Sequence, residues 1–244
     1  MKKIKITTFS LPWYGFWAFI VIALILLRIF VYPLELNVRN NVLLGIGIFS
    51  FIYLAIYKFG LRFLKDYDYN IFNELPFYLC NLSTLCAIYA AITGNRLIGV
   101  FCYSMGFAGA LLAFMKPDPV FRNIELFSWK ALGFFGYHSL LIINCLAFTV
   151  LDVCRPQLGD VWGVVLITLC LMLLAHLVNF TVRSLHLCDV ANYMFTYDPG
   201  DNGILLLCYR YIPVRCLYLL PLSLVVAILY VALYFVYQLF VLIF

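Results

Sequence analysis

Apolar residues in this 244-residue chain come in blocks of roughly twenty, separated by short stretches where charge, proline and glycine collect. A helix of about twenty apolar residues is long enough to cross a hydrocarbon core of about 30 Å. The blocks predict seven helical spans, at about 11–32, 41–60, 75–93, 96–115, 131–151, 161–182 and 213–243. The last is long for one crossing, and Pro213 and Pro221 mark or kink its start. Uninterrupted apolar runs exclude a strand barrel, whose segments are short and alternating. The predicted fold is all-α: a polytopic helical membrane protein, with residues 1–244 forming a single integral membrane domain.

Two connections are more than turns. Residues 119–130, PVFRNIELFSWK, mix aromatic and charged positions and predict an amphipathic helix lying along the interface. Residues 184–213 carry DPGDNG, a turn signal, followed by an apolar piece too short to span. That piece is expected to dip back into the protein, where its backbone is shielded from lipid. The start, MKKIKITTFSLPWYGFWAFIVIALILL, has the charged-then-apolar order of a secretory signal. Its apolar region is too long for one and no small-x-small cleavage site follows, so it is read as an uncleaved first helix.

Composition agrees with the pattern: 66% of residues are hydrophobic and only 11% charged, against about 25% charged in a soluble domain. The net charge of +5 is read as a mark of orientation, not of nucleic-acid binding. Lys2, Lys3, Lys5, Lys58, Arg62, Lys65, Lys116, Arg122, Lys130, Arg183, Arg210 and Arg215 fall on one side of the predicted spans. Arg28, Arg39, Arg96 and Arg155 fall on the other. The asymmetry predicts a cytoplasmic amino terminus and a carboxyl terminus outside. The setting that fits is a cell membrane, the bacterial inner or plasma membrane.

Polar groups inside apolar spans are costly and therefore mark candidate chemistry. Counted as helix from Glu74, Cys80 lies about 9 Å in from the cytoplasmic side; His138 lies about 12 Å past Lys130, and His176 about 10 Å before Arg183. Asn179 is one turn shallower. Cys80 shares a face with Ser83 and Thr84, while His176, Asn179 and Arg183 follow i, i+3, i+7. A thiol in apolar surroundings is a poor nucleophile until a neighbouring imidazole takes its proton. The helix amino terminus adds little, because this register puts Cys80 more than a turn inside. Near lipid ester carbonyls such a thiol can take an acyl group as a thioester, and Arg183 can contact a lipid phosphate.

Each of these residues also has a plainer reading. With eight other cysteines in the chain and no CxxC pair, Cys80 alone reads as packing. His138 alone reads as an interhelical hydrogen-bonding residue, and His176 with Asn179 as a structural pair. Matched depths also allow haem ligation by His138 and His176, although no cofactor motif accompanies them and none is expected. GFAGA, residues 106–110, reads as a close-packing face of small residues.

The motifs ELPFYLCNLS, GFAGALLAFMKPD, GYHSLLI, LVNF and NYMF occur in the order seen in YwaF-type integral membrane proteins, and the chain resembles that family over roughly residues 70–240. The family includes a vertebrate transmembrane phospholipid acyltransferase. The resemblance implies a cysteine–histidine dyad of Cys80 and His138, with Asn179, Asn192, Tyr193 and Met194 in support. The family pattern is closer to LPLHLCDL, so Tyr78 and Asn81 stand where it has His and Asp.

Three functions follow as expectations. The first is a membrane acyltransferase or acyl hydrolase, a transferase of lipid metabolism acting on phospholipids and lysophospholipids through a Cys80 thioester. The second is a small transporter or permease with the polar cluster as its binding site, although paired halves and matched broken helices are not evident. The third is a structural protein whose loops bind another subunit.

Overall fold

The computed structural model describes residues 4–200 and 202–243, and 73% of it is helical. Lys2 and Lys3 of the basic amino terminus, and Asp201 of the DPGDNG turn, lie outside the described residues. Among the described residues six helical segments are long and apolar enough to cross a membrane: Leu11–Val31, Leu36–Leu61, Arg96–Met115, Trp129–Val150, Leu158–Ser184 and Leu217–Leu242. The remaining predicted span, 75–93, is a 15-residue helix over Leu79–Thr93, about 22 Å long. The chain is a polytopic helical membrane protein, as the apolar blocks predict.

The helices are α1 (Leu11–Leu26), α2 (Leu36–Leu61), α3 (Leu79–Thr93), α4 (Arg96–Phe101), α5 (Phe107–Met115), α6 (Trp129–Val150), α7 (Val161–Ser184), α8 (Gly203–Tyr211) and α9 (Leu222–Ile243). A π-helical turn, Leu27–Val31, extends α1, and another, Cys102–Gly106, joins α4 to α5. The chain divides into two compact units, Met1–Asp68 with Ser83–Pro156, and Tyr69–Leu82 with Gln157–Phe244. The division falls inside α3.

In the first unit α6 is the central helix. Of its apolar window 78% is buried, against 6% for α1 and 28% for α2, so α6 forms the core that the other two cover. Glycine lets α2 and α6 approach closely. A Cβ on Gly133 would lie 1.9 Å from the Tyr57 ring, and one on Gly60 would lie 2.2 Å from that of Trp129. The small-residue face predicted at 106–110 is also used, since a Cβ on Gly106 would lie 2.8 Å from Cys145 Sγ. Trp13 and Trp17 of α1 pack on Phe114 of α5, which meets Phe135 of α6 edge-on.

The two ends of this unit differ chemically. At one end β1 (Lys5–Ile6) pairs antiparallel with β2 (Ile124–Glu125). This corrects the amphipathic helix expected over 119–130. Pro117 and Pro119 supply no backbone N–H, Asn123 takes a left-handed φ of 53°, and only a three-residue turn, Pro119–Phe121, is helical before Ser128 caps α6. At the same end Lys130 Nζ bonds Asp66 at 2.7 Å. At the opposite end Arg28 and Arg39 donate to the carbonyls of Val150 and Leu151 at the carboxyl terminus of α6. Arg96 donates to the carbonyl of Arg155, whose guanidinium grips Asp152 through two bonds. All four arginines of the sparsely charged side thus sit at one end of the unit.

In the second unit α7 packs against α9, and the Tyr230 hydroxyl donates to the Gln157 carbonyl just before α7. The segment after DPGDNG is the nine-residue α8, about 13 Å long, too short to span as expected. Asn202 caps it, and its Leu205 packs in a cluster with Met172, Cys216, Tyr218 and Leu219. A three-residue turn, Leu217–Leu219, precedes Pro221, and α9 begins immediately after that proline.

Candidate functional site

The residues before Cys80 do not form the helical turns expected of them. A short helical turn at Ile71–Asn73 is followed by non-helical chain through Tyr78, and α3 starts at Leu79. Pro76 lacks an N–H and biases Leu75 towards extended conformation, so a helix from residue 75 would leave its first turn badly formed. The Tyr193 hydroxyl satisfies this stretch instead. It accepts from the Leu75 N–H at 3.1 Å and donates to the Phe72 carbonyl at 2.5 Å. Burial, the dominant cause, holds the Tyr193 phenol well above its ordinary pKa, so it stays a proton donor. The rings of Phe77 and Tyr78 pack edge-on against Tyr193.

Starting α3 at Leu79 moves Cys80 into its first turn. This corrects the register that put Cys80 more than a turn inside, where the helix dipole would not reach it. In the first turn the unpaired N–H groups favour negative charge nearby. Among the described residues Cys80 is the one of the nine cysteines in the first turn of an α-helix; all nine are free thiols. Cys80 is half-buried, and its thiol donates to Asn81 Oδ1 at 3.5 Å.

The stripe predicted on α7 is a clamp. Asn179 is fully buried; its amide donates to the Tyr193 carbonyl and the Thr196 hydroxyl, both at 2.9 Å, and its oxygen accepts from the Tyr193 N–H at 2.9 Å. His176 Nδ1 pairs with the same Thr196 hydroxyl at 3.3 Å. Arg183 donates to the Ala191 carbonyl at 2.7 Å and lies over the Tyr197 ring at 4.2 Å, while Arg215 covers that ring at 4.0 Å and donates to its hydroxyl. Asn192 holds the same loop, accepting from the N–H groups of Tyr197 and Asp198. Eight of the predicted site residues therefore lie in one unit: Tyr78, Cys80, Asn81, His176, Asn179, Arg183, Asn192 and Tyr193. From α7 a continuous path of bonds runs through Asn179 and Tyr193 to the segment that delivers Cys80.

His138 belongs to the other unit, on α6, where it is buried. Its Nδ1 lies 2.8 Å from the Phe134 carbonyl. A carbonyl only accepts, so Nδ1 carries the hydrogen and the basic nitrogen of the neutral ring is Nε2. Phe134 and Tyr137 flank the ring, and Tyr137 bonds Thr84 of α3 at 2.8 Å. Asn144, further along the same helix, has no hydrogen-bond partner at either amide atom among the described residues. Thr196, Tyr197 and Arg215 are not legible as site residues; the dense run NYMFTYDPG is the available signal for the first two, and Arg215 enters the sequence reading only through the charge asymmetry.

Fold and site together define a multi-pass helical membrane protein whose polar residues are organised around the entry to one short helix. The sequence model of the TMEM164 family matches residues 6–238. The chain belongs to the TMEM164 family, a family of transmembrane proteins. Searches of curated proteins and of solved structures returned no match.

Proposed function

We propose that the protein is a cysteine-dependent acyltransferase, or acyl hydrolase, acting on phospholipids in a cell membrane, with Cys80 as nucleophile and His138 as base. The observation that carries this reading is the position of Cys80. It is half-buried in the first turn of α3, at the end of a segment held by Tyr193, whereas the other eight cysteines lie deeper in helices or in loops. The YwaF-type resemblance supports it independently, through its cysteine and histidine motifs.

In the proposed reaction Nε2 of His138 takes the thiol proton. The sulfur attacks an acyl ester carbonyl, and the C–O bond breaks as the alcohol leaves with the proton. The hydroxyl of a lysophospholipid then attacks the thioester, giving its proton to the imidazole and releasing the Cys80 thiol. Water in place of the lysolipid gives hydrolysis; surroundings poor in water favour the lipid acceptor. In this scheme Arg183, with Arg215, meets the lipid phosphate, and Tyr193 and Asn179 are positioning residues.

Intact-mass analysis of protein purified with native lipids tests the reading. An added acyl mass, lost on hydroxylamine treatment and absent from Cys80→Ala, is expected. Phospholipid acyl profiles that remain the same after Cys80→Ala and after His138→Gln, with no adduct in the wild type, would overturn it.

A further inference from the structure

A second feature lies wholly within the first unit. Between α1 with its π-helical turn, α2 and α6 runs a groove of about 600 Å³ lined by twelve residues, apolar or glycine without exception. That volume falls within the roughly 300–1,000 Å³ of small-molecule sites. On α1 the lining runs from Phe19 to Val31, roughly 18 Å along the axis. One leaflet is about half of the 30 Å hydrocarbon core, so the groove has the depth of a single acyl chain. Gly45 lies in its wall, and a Cβ there would touch nothing within 4 Å.

The groove has a cationic end. Arg28 lies one turn from Val31, and Arg39 one turn from Val42, both of which line the groove. Both guanidinium groups cover the Tyr32 ring, at 3.5 and 4.9 Å. Arg28 gives one N–H to the Val150 carbonyl, and Arg39 gives two, to Leu34 and Leu151. A guanidinium has five, so capping α6 uses a minority of them. Among the described residues neither arginine forms an ion pair, and Asp152, which feels both charges, gives its two oxygens to Arg155. Guanidinium N–H groups left over at the edge of an apolar span favour a further acceptor, and the planar fork matches a phosphate.

We propose that this groove binds one phospholipid, with its phosphate on Arg28 and Arg39 and one acyl chain along α1 and α2. The two arginines stand where α1 ends and α2 begins, the level at which lipid phosphates lie. The second acyl chain stays in the bilayer, since Phe19, Phe30 and Phe49 of the lining are half-exposed or more. A sterol or an apolar partner helix would fill the groove but bring no phosphate to the remaining guanidinium N–H groups.

Photolabelling tests this with the full chain in phosphatidylcholine nanodiscs. One probe is phosphatidylcholine with a diazirine in its acyl chain, and the other a diacylglycerol with the same chain and no phosphate. Adducts from the phospholipid probe are expected within 19–31 and 42–49, about tenfold above the diacylglycerol probe. They should fall by about tenfold in Arg28→Gln/Arg39→Gln and persist in the double lysine variant. Gly45→Phe, which fills the groove and spares the arginines, should remove them. Equal labelling by the two probes, full labelling in a folded double glutamine variant, or displacement by a few per cent of cholesterol would overturn the proposal. Should the double glutamine variant unfold, the probe comparison and Gly45→Phe still decide it.

Discussion

Asn179 and Asn144 are both fully buried amides, and their surroundings treat them oppositely. Asn179 makes three hydrogen bonds to the 193–196 loop; neither amide atom of Asn144 is bonded among the described residues. Asn179→Ala would orphan the Tyr193 N–H and leave its carbonyl only the longer bond from the Thr196 N–H, so we expect a loss of about 2 kcal/mol of stability. Asn144→Leu removes two desolvated polar atoms at similar volume, so we expect a gain of about 1 kcal/mol. Thermal unfolding of the two variants in detergent checks the opposite signs. Both asparagines look alike in sequence, since each is an amide inside an apolar run. The difference lies in what faces them: a loop backbone for Asn179, and the region of Gly47 on α2 for Asn144.

At the scale of elements, close helix approach and charge pairing at helix ends each make a prediction. Gly133→Ala drives a methyl into the Tyr57 ring of α2, so we expect a loss of about 2 kcal/mol. Gly45→Ala meets open space and removes backbone freedom from the unfolded chain, so we expect a gain of about 0.5 kcal/mol. Melting temperatures in detergent distinguish them. The ends of α6 carry pH-dependent ties. The hydrogen bond from Lys130 holds the Asp66 carboxyl below the ordinary carboxylate range, and that from Arg155 does the same for Asp152. A carboxyl depressed in the folded state contributes stability above its unfolded pKa, near 3.9, and loses it as pH falls through the lower folded value. Stability should therefore decline on acidification below about pH 4, and Asp66→Asn with Asp152→Asn should flatten that limb of a pH–melting curve. The start of α3 belongs to this scale too. Pro76 gives a warning in the sequence, but the acceptor for the Leu75 N–H is the phenol of Tyr193, separated from it by 118 residues.

For the whole molecule, charge and connectivity carry the argument. The described basic residues of the first unit sort to its two ends as the span pattern expects, with the β1–β2 pair and Lys130–Asp66 at one and the four arginines at the other. From the unequal numbers we expect a cytoplasmic amino terminus and an external carboxyl terminus. Tags on each terminus of the protein in right-side-out vesicles check this: protease should remove the carboxyl-terminal tag alone, and removal of the amino-terminal tag would reverse the assignment. Apolar length and charge along the chain were enough to establish a multi-pass helical protein, the break before the short α8 and its set of costly polar residues. Each of those follows from a local comparison between burial in lipid and exposure to water. Tertiary structure alone decided that α3 begins at Leu79, that Asn179 clamps a loop, and that Cys80 and His138 belong to different compact units. Those outcomes depend on hydrogen-bonding groups meeting across distant parts of the chain, and periodicity records which face of a helix is apolar without recording what will lie against it.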